Sequence, residues 1–215
     1  MLEDLGVDVR EVDPVFPGGF RTHVGDGHAE YAEKWRLTEV TADTVVFLDC
    51  DTVVARDLSE VVDGSFDLKA RPLSATDPDR FEALFERDGR TPRSWYPNTG
   101  FLVFRDGYHR RVADDWRRYI EDDLHYYSEG YTKEQFALAL ASSEATVEKM
   151  TRREHVMEWR DELVADGYVY HLANGDVAVG QELLNAVDGH LPAVVRNAVG
   201  RQFPWLYDRI GYGDT

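Results

Sequence analysis

Cysteine is almost missing from this chain: Cys50 is the single thiol among 215 residues. One thiol excludes an intramolecular disulfide and any cysteine-built metal framework. Lysine is scarce too, with 4 lysines beside 20 arginines, and these 24 cations face 41 carboxylates. The resulting net charge of −17 excludes a general affinity for DNA or RNA, which needs clustered basic residues. No window approaches the roughly 18 continuous apolar residues of a membrane-spanning helix. The opening "MLEDLGVDVREV" is acidic and has no apolar run, so it does not read as a secretory signal. The expected location is the cytoplasm.

What is present is enough apolar material for a core, 43% hydrophobic with 12% aromatic residues, at a length that suits one domain. The carboxylates are 24 Asp and 17 Glu. An acidic, Asp-rich, Lys-poor surface suits a protein kept soluble in a high-salt cytoplasm, as in halophilic archaea, where screening is nearly complete. An ordinary acidic protein from a GC-rich genome is the plainer alternative. Cys50, set between two aspartates, reads as a small buried filler.

Strand and helix patterns alternate along the chain. Residues 7–13 read as a strand and 16–28 as a glycine-rich loop. "AEYAEKWRLTEV" reads as a helix that feeds Ala32, Trp35 and residues 37–40 into the core. Val45 to Leu48 is a short continuous apolar run, the pattern of a strand buried on both faces of a parallel sheet. "SFDLKARP" is a further strand. In "TDPDRFEALFERDG", Asp77 can cap a helix, Pro78 suits its first turn, Phe81, Leu84 and Phe85 form one stripe, and Gly89 can end it. "NTGFLVF" (98–104) is a strongly apolar strand, "YHRRVADDWRRYIEDDL" an amphipathic helix with Val112, Trp116, Tyr119 and Ile120 inward, and "KEQFALALASS" a more buried helix. "YVYHL" is a late strand ending at His171. Such alternation means an α/β domain with a mostly parallel sheet. Residues 177–215 read as a C-terminal helical tail, either packed on the domain or touching a membrane or partner peripherally.

The stretch "TVVFLDCDTVV" carries the chemistry. Ligands of open α/β sheets bind beyond the carboxyl ends of the strands, where Asp49 and Asp51 fall. Residues i and i+2 of an extended stretch point the same way, so both carboxylates can face one hard divalent cation, Mn²⁺ or Mg²⁺. The spacing alone carries little weight in so Asp-rich a chain. Its second instance, Asp77 and Asp79, is explained as a helix start.

Two known families place aspartates this way after an apolar strand: nucleotide-sugar glycosyltransferases of the GT-A fold, and haloacid-dehalogenase-type phosphatases, whose first motif "DCDTV" satisfies literally. For the phosphatase, a strand, loop and helix unexpectedly precede Asp49, and "NGDVAVGQE" has Gly180 where a second aspartate is needed. The stretch from Ala32 to Val62 resembles the family 8-like glycosyltransferases of the glycogenin and lipopolysaccharide galactosyltransferase type. "NTGFLVF", "KEQFALALA" and "YVYHLANG" follow in that family's order. The resemblance implies a GT-A-like three-layer α/β/α sandwich over residues 1–215, lacking the family's first strand and helix. It implies a nucleoside-diphosphate sugar donor, most often UDP-linked, a glycan, lipid or protein acceptor, and retention of anomeric configuration.

By the same resemblance Lys34 contacts donor phosphate, Asp49 and Asp51 with His171 hold the metal, and Asn98, Thr99 and Gly100 border the donor sugar. Glu134 stands where the family has an acidic residue near sugar and acceptor, and Gln135 where a glutamine faces the anomeric carbon. Gly175 follows His171 at a spacing one residue longer than the family's. Each residue also has a structural reading: a hydrogen-bonded strand-end histidine, a solvated lysine, a turn asparagine, a helix-start glutamate. A truncated or non-catalytic relative that binds nucleotide sugar is the alternative from another functional class.

Overall fold

The computed structural model describes residues 33–121, 133–157, 161 and 166–172. In chain order its elements are a 3₁₀ helix (Glu33–Glu39), β1 (Val45–Leu48), β2 (Thr52–Val54), α1 (Ser59–Val62), β3 (Leu68–Ser74), α2 (Pro78–Arg87), β4 (Trp95–Phe104), α3 (Tyr108–Arg111), α4 (Ala113–Glu121), α5 (Lys133–Ala141), β5 (Val147–Lys149), β6 (His155–Met157) and β7 (Val169–His171). The expected strand at 7–13, the glycine-rich loop and the C-terminal tail lie outside the described residues.

β4 is the centre of a four-stranded sheet of order β1-β4-β3-β5, and all its residues but Trp95 are buried. It pairs antiparallel with β1, Val45 opposite Phe104 and Leu48 opposite Phe101, and antiparallel with β3. β5 joins β3 in parallel. Three of the four strands therefore share one direction, as expected, but β4 is inserted against them and the sheet is mixed. An apolar run announces burial, not strand direction, and an antiparallel neighbour needs no crossover helix. β1 itself is the edge of the described sheet, with Val46 37% exposed. The strand buried on both faces is β4.

Alternation along β4 sorts the core into two layers. Leu102 and Phe104 join Leu68 and Ala70 against α2, α4 and α5. That layer holds Phe81, Leu84 and Phe85, then Trp116, Tyr119 and Ile120, then Phe136 to Ala141. Phe81 meets Phe85 edge-on at 5.2 Å, and Phe136 packs on Phe81 at 4.9 Å and Tyr96 at 4.8 Å. Each such buried side chain contributes about 1.5–3 kcal/mol of apolar transfer. Phe101 and Val103 point the other way, onto Val61, Phe66, Met150, Tyr168 and Val169. This face is covered, among the described residues, by α1 and a three-stranded sheet of order β2-β7-β6.

Local signals account for the helices. The Asp77 side chain accepts the Arg80 N–H at 3.1 Å, Pro78 stands in the first turn, and Gly89 at φ +64° closes α2. The long helix expected from Tyr108 is divided at Val112 into α3 and α4, with the expected Val112, Trp116, Tyr119 and Ile120 buried. The segment around Lys34 is a 3₁₀ helix that buries Leu37 but leaves Val40 40% exposed. Trp116 Nε1–H donates to the Glu134 carbonyl at 3.1 Å, which fastens α4 to the first turn of α5.

Candidate active site

The β1–β4 ladder runs one residue past Leu48, because Asp49 N–H donates to the Gly100 carbonyl at 2.8 Å. The chain then turns. Thr52 returns to the Asp49 carbonyl through its N–H at 3.2 Å and its hydroxyl at 2.7 Å. Thr52 opens β2, which belongs to the other sheet. Asp49 and Asp51 thus flank a turn between sheets; they do not share the extended stretch that their spacing suggested. Cys50 at the turn is exposed, which corrects the buried filler expected from its neighbours.

β7 brings the third member. It pairs antiparallel with β2, placing Thr52 opposite His171, and Leu172 N–H donates to the Asp51 carbonyl at 2.9 Å. His171 Nε2 lies 3.2 Å from Asp51 Oδ1 and 3.9 Å from Asp49 Oδ2. One ligand atom from each of Asp49, Asp51 and His171 falls within 4.8 Å of the others. Burial would raise the Asp51 carboxyl, but the hydrogen bond and charge of His171 outweigh it and hold Asp51 below its ordinary value.

Of the remaining expected residues, Lys34, Thr99 and Glu134 form a chain of contacts beside this cluster. Lys34 Nζ donates to Asp49 Oδ2 at 2.7 Å and to Thr99 Oγ1 at 3.3 Å. Thr99 Oγ1–H donates to Glu134 Oε1 at 2.9 Å. Glu134 is 4% exposed. Burial pushes its carboxyl up to about 7, aided by the charge of Asp49 and opposed by Lys34 and the Thr99 hydroxyl. Gln135 is also buried, and its Oε1 has no hydrogen-bond partner among the described residues. Asn98 turns its Oδ1 back to accept Gly100 N–H at 2.9 Å. Gly100 is needed for space: a Cβ there would collide with Cε1 and Nδ1 of His171.

Sequence reasoning missed His155. It is fully buried on β6, and its Nε2 lies 3.3 Å from Nδ1 of His171. Burial, with the charges of His171 and Arg71, holds its imidazole well below the ordinary value, so it is neutral. The one available signal was the apolar triplet "HVM", which does not show what the ring faces.

Two carboxylates and one imidazole converging on one small volume are a fit donor set for a divalent cation. Oxygen ligands suit Mg²⁺ and Mn²⁺, and the imidazole nitrogen is better matched to Mn²⁺.

No protein-family model matches this chain. No curated protein matches its sequence. Solved structures do match its fold. An active-site mutant of LgtC aligns at TM-score 0.52 and 19% identity, over 84% of this chain and 74% of that one. The galactosyltransferase LgtC in complex with donor and acceptor sugar analogues aligns at TM-score 0.45 and 18% identity, over 79% of this chain and 70% of that one. The bifunctional glycosyltransferase WbbM aligns at TM-score 0.49 and 14% identity, over 70% of this chain and 32% of that one. With its mixed sheets and the first of these alignments, the chain has a mixed α/β, GT-A-like glycosyltransferase fold. Among the described residues no helix is long and apolar enough to cross a membrane.

Proposed function

We propose that the protein is a metal-dependent glycosyltransferase that moves a sugar from a nucleoside-diphosphate donor, UDP-linked, to a glycan, lipid or protein acceptor, with retention. The observation that carries this reading is the convergence of Asp49, Asp51 and His171 beside the Lys34–Thr99–Glu134 chain, on a glycosyltransferase fold.

In this reading Asp49, Asp51 and His171 hold Mn²⁺ or Mg²⁺. The cation, when bound, supplies Lewis-acid stabilisation of the charge that builds on the departing diphosphate. The Lys34 ammonium adds a second positive charge beside the same phosphates. Thr99 keeps Lys34 and Glu134 in one hydrogen-bonded line. Asn98, Thr99 and Gly100 border the donor sugar, which the Asn98 amide orients. Glu134, with its carboxyl poised at about 7, can hold or release a proton near neutral pH beside the sugar and acceptor. Gln135, whose amide oxygen has no partner among the described residues, is the residue assigned to the anomeric centre.

The test is a panel of UDP-sugars incubated with the protein and Mn²⁺, read as released UDP. The account expects release with at least one sugar and none from the Asp51→Asn variant. Phosphate released from a generic phosphomonoester, and lost on Asp49→Asn, would replace this reading with a phosphatase.

A further inference from the structure

We infer that His155 is a positioning residue for the metal centre: its Nε2 accepts the Nδ1–H of His171 and so turns the bare Nε2 of His171 toward Asp49 and Asp51. The inference rests on the metal-site reading above.

A histidine binds a cation through an unprotonated ring nitrogen, and its other nitrogen then carries the proton. The partner of that second N–H fixes ring orientation and tautomer. For His171 the ligating atom is Nε2, which faces both carboxylates. Nε2 of His155 lies in hydrogen-bond reach of its Nδ1, at 3.3 Å. The two rings are nearly parallel, 9° apart. The His155 ring also packs against Phe101 at a steep angle of 73°, with centroids 5.6 Å apart.

Packing does not explain a histidine here. The ring is fully buried, and its Nδ1 has no hydrogen-bond partner among the described residues. Phenylalanine would fill the space without leaving a buried nitrogen unpartnered, a costly arrangement. The contact with His171 does explain it. The support is also stiff, since β6 and β7 pair in parallel with Met157 opposite His171. Protons balance: a cation taken at Nε2 of His171 displaces to solvent the proton that Nε2 shares with Asp51, and Nδ1 keeps its own toward His155.

The experiment measures Mn²⁺ binding, by the electron paramagnetic resonance of the free ion, for wild type, His155→Phe, His155→Gln and His171→Ala. Glutamine can return an acceptor oxygen near the place of Nε2. His155→Phe is expected to bind Mn²⁺ about 10–100-fold more weakly, with His155→Gln recovering most of the loss. Equal binding by wild type and His155→Phe would overturn the inference and spare the metal site. No binding by wild type would fell both. Should the phenylalanine variant fail to fold, long-range proton–nitrogen spectra of the wild type with Zn²⁺ as a diamagnetic probe decide. A His155 proton on Nδ1 is expected; a proton remaining on Nε2 would overturn the wiring.

Discussion

Gly100 and His171 occupy adjoining space so closely that the backbone of one is the packing surface for the ring of the other. A single methyl added at Gly100 would collide with the imidazole. Gly100 lies in β4, and its carbonyl accepts from Asp49 N–H, so the strand has little freedom to withdraw. The ring must move instead. Gly100→Ala is expected to weaken Mn²⁺ binding and to destabilise the fold by about 1–3 kcal/mol, the usual cost of overpacking. Chemical denaturation beside a metal titration measures both. Unchanged metal affinity would mean that His171 is not a ligand.

Lys34 and a bound cation share one oxygen's neighbourhood, because Lys34 Nζ is 2.7 Å from Asp49 Oδ2. Lys34→Ala should therefore split the two affinities. Mn²⁺ alone binds more tightly, on the order of tenfold, once a like charge a few ångströms away is gone. UDP in the presence of Mn²⁺ binds more weakly, because its phosphates lose a cation. Calorimetric titration of each ligand reads the split. Both affinities falling together would place Lys34 in the structural support of Asp49 rather than at the phosphates.

Glu134 gives a pH signature. Its carboxyl is pushed by burial from 4.5 up to about 7, so between those values the folded protein keeps a proton that the unfolded chain releases. Its contribution to stability is fully present below about 4.5 and is lost as pH rises through about 7. Glu134→Gln stays neutral and can still accept from Thr99. At pH 8 the variant is expected to be more stable than wild type, by on the order of 2 kcal/mol. At low pH the two converge. Parallel stability curves across that range would contradict the assignment.

Salt should stabilise the protein. Exposed pairs such as Arg117 with Glu121 and Arg118 with Asp115 weaken when screened, but each is worth only about 0.2–1 kcal/mol. A net charge of −17 opposes the compact state everywhere, and screening relieves it. Melting temperature is expected to rise steadily from dilute buffer into molar KCl. A flat or falling trend would remove the high-salt reading of the composition.

The sequence disclosed elements whose signals are local. The cap at Asp77 and the stripe Phe81, Leu84, Phe85 define α2, and unbroken apolar runs mark β1 and β4. β2, β5 and β6 went unseen because strands of three residues carry no periodicity; β7, equally short, showed only because β-favouring Tyr168, Val169 and Tyr170 stand together. Placing β1 at the edge and β4 at the centre depends on which strands pair, and composition does not encode pairing. The two aspartates were legible from their place after β1, though a turn between sheets, not an extended strand, brings them together. His171 was reachable only through the order of motifs. His155 was not, because its meaning depends on β6 and β7 pairing in parallel.

The most direct test of the account is a calorimetric titration of UDP into the protein in high salt, with and without Mn²⁺, repeated with Asp51→Asn. The account predicts binding that requires Mn²⁺ and disappears in the variant. UDP binding of equal strength without the metal, or undiminished in Asp51→Asn, would contradict a metal-bridged donor site at Asp49, Asp51 and His171.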